Sequence, residues 1–349
     1  MTEPTRASSS PRHRGVVLVT GQSPSEVDLV ADRLAGSTSR RVDSGPDVHD
    51  AADAVHRLAL DLAHDGQPID VVATLAAGTP SRATGLLIGS LLDSSLGRPD
   101  GRSLLQHVVS VVSAVDLVDL VLGGVDDRFL AAEHVVDLVE YATVIVLVDT
   151  AAVRPRDLRT IRRLLARLAP ESRVASVAAV RRETLESPGG AAQLGGAAGW
   201  MQALSEHTPD LDHDGVVTTS VYRDERPFHP GRLALAVEHT FAPGAVGTLL
   251  RSRGFTQFAT RCDRVGSWSS VGQMLSLDPT SSPSWHPDSP HGQQIAFFGL
   301  DLDVATIRRE LDACLLTDDE LLGDPAGWRD FVDPFPVWSG PGAGPGHRH

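Results

Sequence analysis

VVLVTGQSPSEVDLV, residues 16–30, is the stretch from which the rest of the chain is read. Val16 to Val19 form a short apolar run of mostly β-branched residues, the pattern of a strand buried on both faces. A helix-like segment follows at once. In an open α/β sheet this first strand-to-helix turn is where helix-N-terminal amides meet an anion. A phosphate-binding loop there would read GxxxxGK[ST]: glycines for close backbone approach, a lysine for the β- and γ-phosphates and a hydroxyl for Mg²⁺. After Gly21 the chain instead reads Gln22, Ser23, Pro24, Ser25, Glu26, Val27, Asp28, so the later glycine, the lysine and the hydroxyl are missing from their places. Ser23, Pro24 and Glu26 form the signature of a capping box with proline at the first helical position. Glu26 and Asp28 put negative charge where the helix dipole favours it and where a phosphate would be repelled. The stretch predicts a strand–turn–helix junction that folds without a nucleotide. A nucleophile elbow, GxSxG, would suit the same setting, but its second glycine is absent and Ser23 is assigned to the cap.

Outward from this junction, strand-like and helix-like segments alternate from Gly15 to about Arg181. Val48 to Leu62 has the apolar spacing of an amphipathic helix, Ile69 to Leu75 reads as a buried strand, and Ser81 to Leu92 as the next helix. Val108 to Val112 and Val144 to Val148 are further strands, Asp126 to Val139 and Pro155 to Leu168 helices, and Arg173 to Val177 a last strand. This alternation implies a doubly wound, mainly parallel sheet over residues 15–181.

The 349 residues suffice for two domains, and 41% hydrophobic with 22% charged residues describes a globular protein. A net charge of −14 argues against a direct nucleic-acid surface, while leaving basic protein partners open. Residues 1–14 are polar, Pro/Ser-rich and expected to be disordered; they lack the apolar core of a signal peptide, and no run approaches a membrane span, so a cytoplasmic protein is expected. The sequence contains no lysine and no asparagine. That excludes a phosphate-loop lysine, a Schiff-base lysine and an Asn-Lys nucleotide-base motif anywhere in the chain. Cys262 and Cys314 are too far apart for a thiolate metal motif and are expected as buried small hydrophobes.

Residues 182–215 are Gly/Ala-rich and then acidic, the pattern of a linker, and His207 and His213 there would bind a metal only weakly. A second domain over 216–322 follows the order β-α-β-β-β-α, with strands at Val216–Tyr222, Gly247–Thr260, Val265–Leu277 and Gln294–Gly299. Its helices fall at Pro230–His239 and Val304–Leu315, which suggests an α+β sandwich related to the ferredoxin-like split βαβ. Residues 323–349 form an aromatic, Pro-rich tail with a disordered end. Its Trp328, Phe331, Phe335 and Trp338 are expected to pack back on their own domain, since exposing them would leave a large apolar patch.

RPFHPGRL (226–233), LLRSRGF (249–255), ATRCDRVGSWSS (259–270), FFGLDLD (297–303), LDACLLTDDEL (311–321) and WRDFVDPFPVW together resemble the C-terminal domain of CobW-like proteins, a family of P-loop GTPases and zinc metallochaperones. The resemblance implies a P-loop GTPase-like first domain with GTP and zinc as cofactors, so each family motif can be checked. The phosphate loop falls on Gly21 to Asp28, with Val27 for the lysine and Asp28 for the Mg²⁺-binding hydroxyl. The second-strand acidic motif falls on Ala73 to Pro80, with Ala73 for the acid and Ala76 for the glycine. The guanine motif NKxD falls on Val148 to Ala151, with Asp149 two positions early, and the metal-binding CxCC is absent. Lysine and metal carry most of the charge neutralisation in phosphoryl transfer, so the resemblance taken with these losses implies a pseudo-GTPase that binds no cofactor. The pattern is most similar to an actinobacterial Mrf-type branch that recruits a hibernation factor to ribosomes in zinc starvation. Its implied partners are proteins, with no nucleic acid bound directly and no membrane. His229, Arg251, Arg253, Arg261 and Trp268 are the candidate partner surface on the second domain; the alternative for His229 is that it helps cap the helix beginning at Pro230.

Overall fold

The computed structural model describes residues 15–37, 39–97, 102–123, 128–185, 194, 196, 198–205, 211–213, 215–239, 241, 244–272, 274–323 and 325–338. Residues 1–14, His207 and the chain after Trp338, for which disorder or weak metal binding is expected, lie outside the described residues. Two compact units interleave along the sequence. The first takes in Met1–Val112, Tyr141–Val148 and Glu171–Gly195, and the second Ser113–Glu140, Asp149–Pro170 and Gly196–His349, each as far as described.

In the first unit, β1 (Val16–Gly21), β2 (Arg40–Asp43), β3 (Val71–Thr74), β4 (Leu105–Ser113), β5 (Val144–Val148) and β6 (Arg173–Ala175) form one sheet in the order β2-β3-β1-β4-β5-β6. Pairing is parallel between β1 and β3, β1 and β4, β2 and β3, and β5 and β6. Strand order reverses at β1, which puts the switch point of the sheet beside the turn after Gly21. All six residues of β1 are buried, and both its faces are used. Val17 and Val19 share an apolar cluster with Val27, Val30, Ala31 and Leu34 of α1 (Pro24–Leu34). Leu18 on the opposite face reaches α3 (Ser81–Leu96), within 3.6 Å of where a Cβ on Gly85 would stand. The sheet is therefore doubly wound. A further helix, α2 (Val48–His64), begins at Asp47, whose side chain accepts the His49 and Asp50 N–H groups, and packs along α3. Strand β2 was not foreseen because an edge strand with no fully buried residue carries no apolar run.

The second unit carries a six-stranded sheet of β7 (Leu211–His213), β8 (Thr218–Asp224), β9 (Thr248–Thr256), β10 (Arg264–Val271), β11 (Met274–Pro283) and β12 (Gln293–Leu300), in the order β11-β10-β9-β12-β8-β7. All its pairings are antiparallel. Since β12 lies between β8 and β9, the segment β8, helix Pro230–His239, β9 is a split βαβ unit. The single strand expected over Val265–Leu277 is instead the β10–β11 hairpin, turned at Gly272 with φ +59°, a conformation glycine adopts without a Cβ clash. The core on the helical face is largely aromatic: Phe228, Phe258, Trp268 and Phe297 pack with Leu233, Ile307 and Leu311. Phe335 and Trp338 of the tail pack on the same cluster, as expected.

The domain boundary at residue 181 needs correction. Helices Phe129–Glu140 and Pro155–Leu168 group with the second unit, and acidic side chains of the first of them are ion-paired to its sheet. Part of the 182–215 linker is also built in. Trp200, in the helix Gly199–Ala203, is buried with its ring 5.6 Å from that of Phe255, and β7 pairs with β8.

Candidate functional site

At the β1–α1 junction, Gly21 ends the strand against β4 and α1. A Cβ there would stand 2.7 Å from the Val111 carbonyl oxygen and 3.0 Å from Cγ2 of Val27, so the missing side chain serves strand–helix packing. Val27, at the lysine position, is 3% exposed and part of the aliphatic cluster. Asp28, at the hydroxyl position, accepts from Arg41 Nη2 at 2.7 Å, and the same guanidinium also binds Asp32 and Asp43. The capping box is corrected. Pro24 opens the helix as predicted, but Ser23 makes no side-chain cap and its Oγ lies 3.2 Å from that of Ser25.

Ala73 is buried in β3 between Leu18 of β1 and Val42 of β2. Ala76 lies in the turn that follows, where its carbonyl accepts the Thr79 N–H at 3.1 Å. Val148 is buried at the end of β5, and Ala151 is exposed in a short 3₁₀ turn. Asp149 adopts the left-handed conformation, φ 54°, and accepts from Ser113 Oγ at 2.8 Å.

The five residues expected to form a partner surface do not form one. Alternation along β9 and β10 puts Arg251, Arg253 and Ser269 on one face and Ser252 and Trp268 on the other. Trp268 is a core residue, its Nε1 donating to Ser252 Oγ at 2.8 Å. Arg251 is fully buried and donates to both oxygens of Glu140 (2.8 and 3.2 Å), to Glu133 (3.1 Å) and to Ser269 (2.9 Å). Arg253 adds bonds to Asp137 at 2.8 Å and Glu133 at 3.3 Å. Burial by itself would lower the Arg251 pKa; the surrounding carboxylates, Glu140 foremost, outweigh it and raise the pKa. Glu133, Asp137 and Glu140 went unnoticed in the sequence, although their spacing in FLAAEHVVDLVE puts all three on one helix face.

His229 takes the capping alternative. Its Nδ1 accepts the Arg232 N–H at 3.3 Å and its ring lies 4.5 Å from that of Phe331, while burial and the nearby Arg232 lower its pKa. Arg261 is clamped side-on by Asp333 at 2.8 and 2.9 Å and stacks on Trp338 at 4.7 Å. Cys314 is buried as expected, with its thiol pushed up to about 11 by burial, and Cys262 is half-buried. Among the described residues no group of three or more His, Cys, Asp or Glu is arranged to hold a metal ion, and no helix is long and apolar enough to cross a membrane.

Residues 217–315, from the start of the second sheet to the end of the helix after β12, match the profile of the cobalamin synthesis protein cobW C-terminal domain. Over these residues the chain is similar to the CobW C-terminal domain. The chain is 25% identical over 305 residues to a zinc-regulated GTPase metalloprotein activator 1 of Dictyostelium discoideum, an alignment covering 80% of the chain and 63% of that protein. It is 28% identical over 278 residues to a zinc chaperone of Mycobacterium tuberculosis, covering 69% of the chain and 65% of the relative. It thus spans somewhat under two thirds of the length of these curated relatives. A crystal structure of the Zn(II)-bound YjiA GTPase from E. coli aligns over 87% of the chain and 99% of its own, with 17% identity and a TM-score of 0.36.

Proposed function

We propose that this CobW-like protein works in zinc homeostasis without turning over GTP, through contacts with other proteins, and that under zinc limitation it recruits a hibernation factor to the ribosome. The observation that carries the first part is Val27. Where a phosphate loop needs a cation, this chain has a buried isopropyl group packed on Gly21, followed by a carboxylate already engaged by Arg41. An incoming triphosphate would meet apolar surface and negative charge, with no lysine in the whole chain to neutralise it. The residues do not fit a magnesium nucleotide. The names of the relatives support a zinc-related role, and the absent CxCC argues against zinc relay through that motif. The net charge of −14 suits contact with basic ribosomal proteins better than with RNA. A cytoplasmic location follows from the same reading.

Those relatives also favour a second reading, a nucleotide-dependent zinc metallochaperone with a non-standard site. Titration with a fluorescent GTP analogue separates the two: no saturation is expected, and micromolar binding at the β1–α1 junction would overturn the first reading. For the ribosomal part, co-sedimentation with ribosomes and their hibernation factor in zinc-starved cells is expected, and its absence would refute that step.

A further inference from the structure

The tail of the second unit builds a cavity that no role above uses. Trp338 covers Gly266 of β10, where a Cβ would be 2.9 Å from its Cη2, and its Nε1 donates to the Leu277 carbonyl at 2.9 Å. Phe335 packs on Phe258, with ring centroids 5.6 Å apart. Asp333 holds Arg261 and also accepts from Thr260 Oγ1 at 2.6 Å. The folded-back tail and the start of β10 thus line an open pocket of about 450 Å³, within the range of small-ligand sites.

The charged groups lining the cavity do not balance. Arg226, Arg232 and Arg261 each have a carboxylate partner: Asp224, Glu320 and Asp333. Arg264 and Arg329 line the cavity, and neither has a partner among the described residues. Against them stands one further carboxylate, Asp263, because Asp333 is committed to Arg261. The cavity therefore carries surplus positive charge in a chain of net charge −14, beside aromatic walls of Phe331, Phe335 and Trp338. Planar guanidinium groups beside apolar aromatic faces match a carboxylate carried on a flat organic body.

We propose that this cavity binds a small aromatic carboxylate, its anionic groups on Arg264 and Arg329 and its ring against the tail aromatics. The inference is independent of the nucleotide reading, which concerns the first unit. The test is isothermal calorimetry on the full chain with isophthalate, a flat dicarboxylate, against its neutral diamide and against inorganic phosphate. Isophthalate should bind at least tenfold more tightly than either control, and Arg264→Ala and Arg329→Ala should each weaken it about tenfold, as loss of a charge-assisted contact does. Both arginines lie outside the core, and unchanged circular dichroism of the variants would confirm that they fold. No isophthalate binding, binding matched by the diamide or by phosphate, or binding unchanged in the double variant would overturn the proposal.

Discussion

Two helix starts in this protein carry the same signature and end differently. Ser23-Pro24-Ser25-Glu26 opens α1 in the first unit, and Thr317-Asp318-Asp319-Glu320 opens the short helix Asp318–Leu321 in the second. At Thr317 the box closes. Its Oγ1 accepts the Glu320 N–H, and Glu320 Oε2 accepts the Thr317 N–H at 2.8 Å. At Ser23 the hydroxyl pairs with Ser25 instead. The difference comes from elsewhere in the fold: Arg232, on the helix Pro230–His239, binds both oxygens of Glu320 at 2.7 and 2.9 Å and fixes the rotamer the box needs. A local signature sets where a helix begins, and a distant partner decides whether its side chains engage. Distant partners also hold the buried charges of both units: Arg182 pairs with Asp70 at 3.0 Å in the first, and Arg251 with Glu140 and Glu133 in the second, whereas position 27 of the first unit carries an aliphatic valine.

The largest effect is expected where a partner is taken from a buried charge. Glu140→Ala should destabilise the second unit by about 3 kcal/mol in urea unfolding, since it takes from buried Arg251 its one fully buried carboxylate and leaves it Glu133 and the more distant Asp137, while the apolar pair Arg251→Met with Glu140→Leu should lie much closer to wild type. A loss below about 1 kcal/mol for Glu140→Ala would mean that the partners of Arg251 do not decide the stability of the second unit. Next is Val27→Lys, which puts a lysine where a phosphate loop would carry one. It should lower stability by about 3 kcal/mol in thermal melts, because the ammonium has no carboxylate in the aliphatic cluster, and it should bring no nucleotide affinity.

Acid probes the closed box. The Arg232 hydrogen bond, set against a burial penalty and helped by the Thr317 N–H, holds the Glu320 carboxyl down from 4.5 to about 2. A lowered folded pKa contributes stability above the unfolded value, and that contribution is lost as pH falls through the folded one. Stability should therefore decline between about pH 4.5 and 2 by about 1–2 kcal/mol, an amount reduced because the pair is partly exposed, and Glu320→Gln should flatten that part of the profile. The smallest effects sharpen the opening comparison itself. Thr317→Ala should cost about 1 kcal/mol and Ser23→Ala close to none, measured as paired denaturation midpoints. Equal costs would mean that the Ser23 box closes in solution.

Most of the fold could be read along the chain because its signals are local. The β-branched run of β1, the alternation that follows, and the prolines opening α1 and the helix Pro155–Leu168 all act within a few residues. The β10–β11 hairpin escaped notice because Gly272 at its turn has no proline or second turn residue beside it, and it reads like Gly266 as an interruption of one continuous strand-like run. The candidate partner surface failed for a different reason. Alternation in RSRGF correctly puts Arg251 and Arg253 on one face, but it does not say whether that face meets water or a row of carboxylates far away in sequence.

The sequence by itself determined that no lysine stands in the first strand-to-helix turn, that a doubly wound sheet precedes a split βαβ domain, and that an aromatic tail follows. These rest on composition and short-range periodicity, which the chain carries wherever it goes. Only the tertiary structure decided that Val27 is buried in an aliphatic cluster, that the helix Phe129–Glu140 belongs with the second unit, and that Arg264 and Arg329 are left facing a cavity. Each of those is a matter of which charges meet across long stretches of sequence. Partner choice is set by packing, and packing is settled by the fold as a whole.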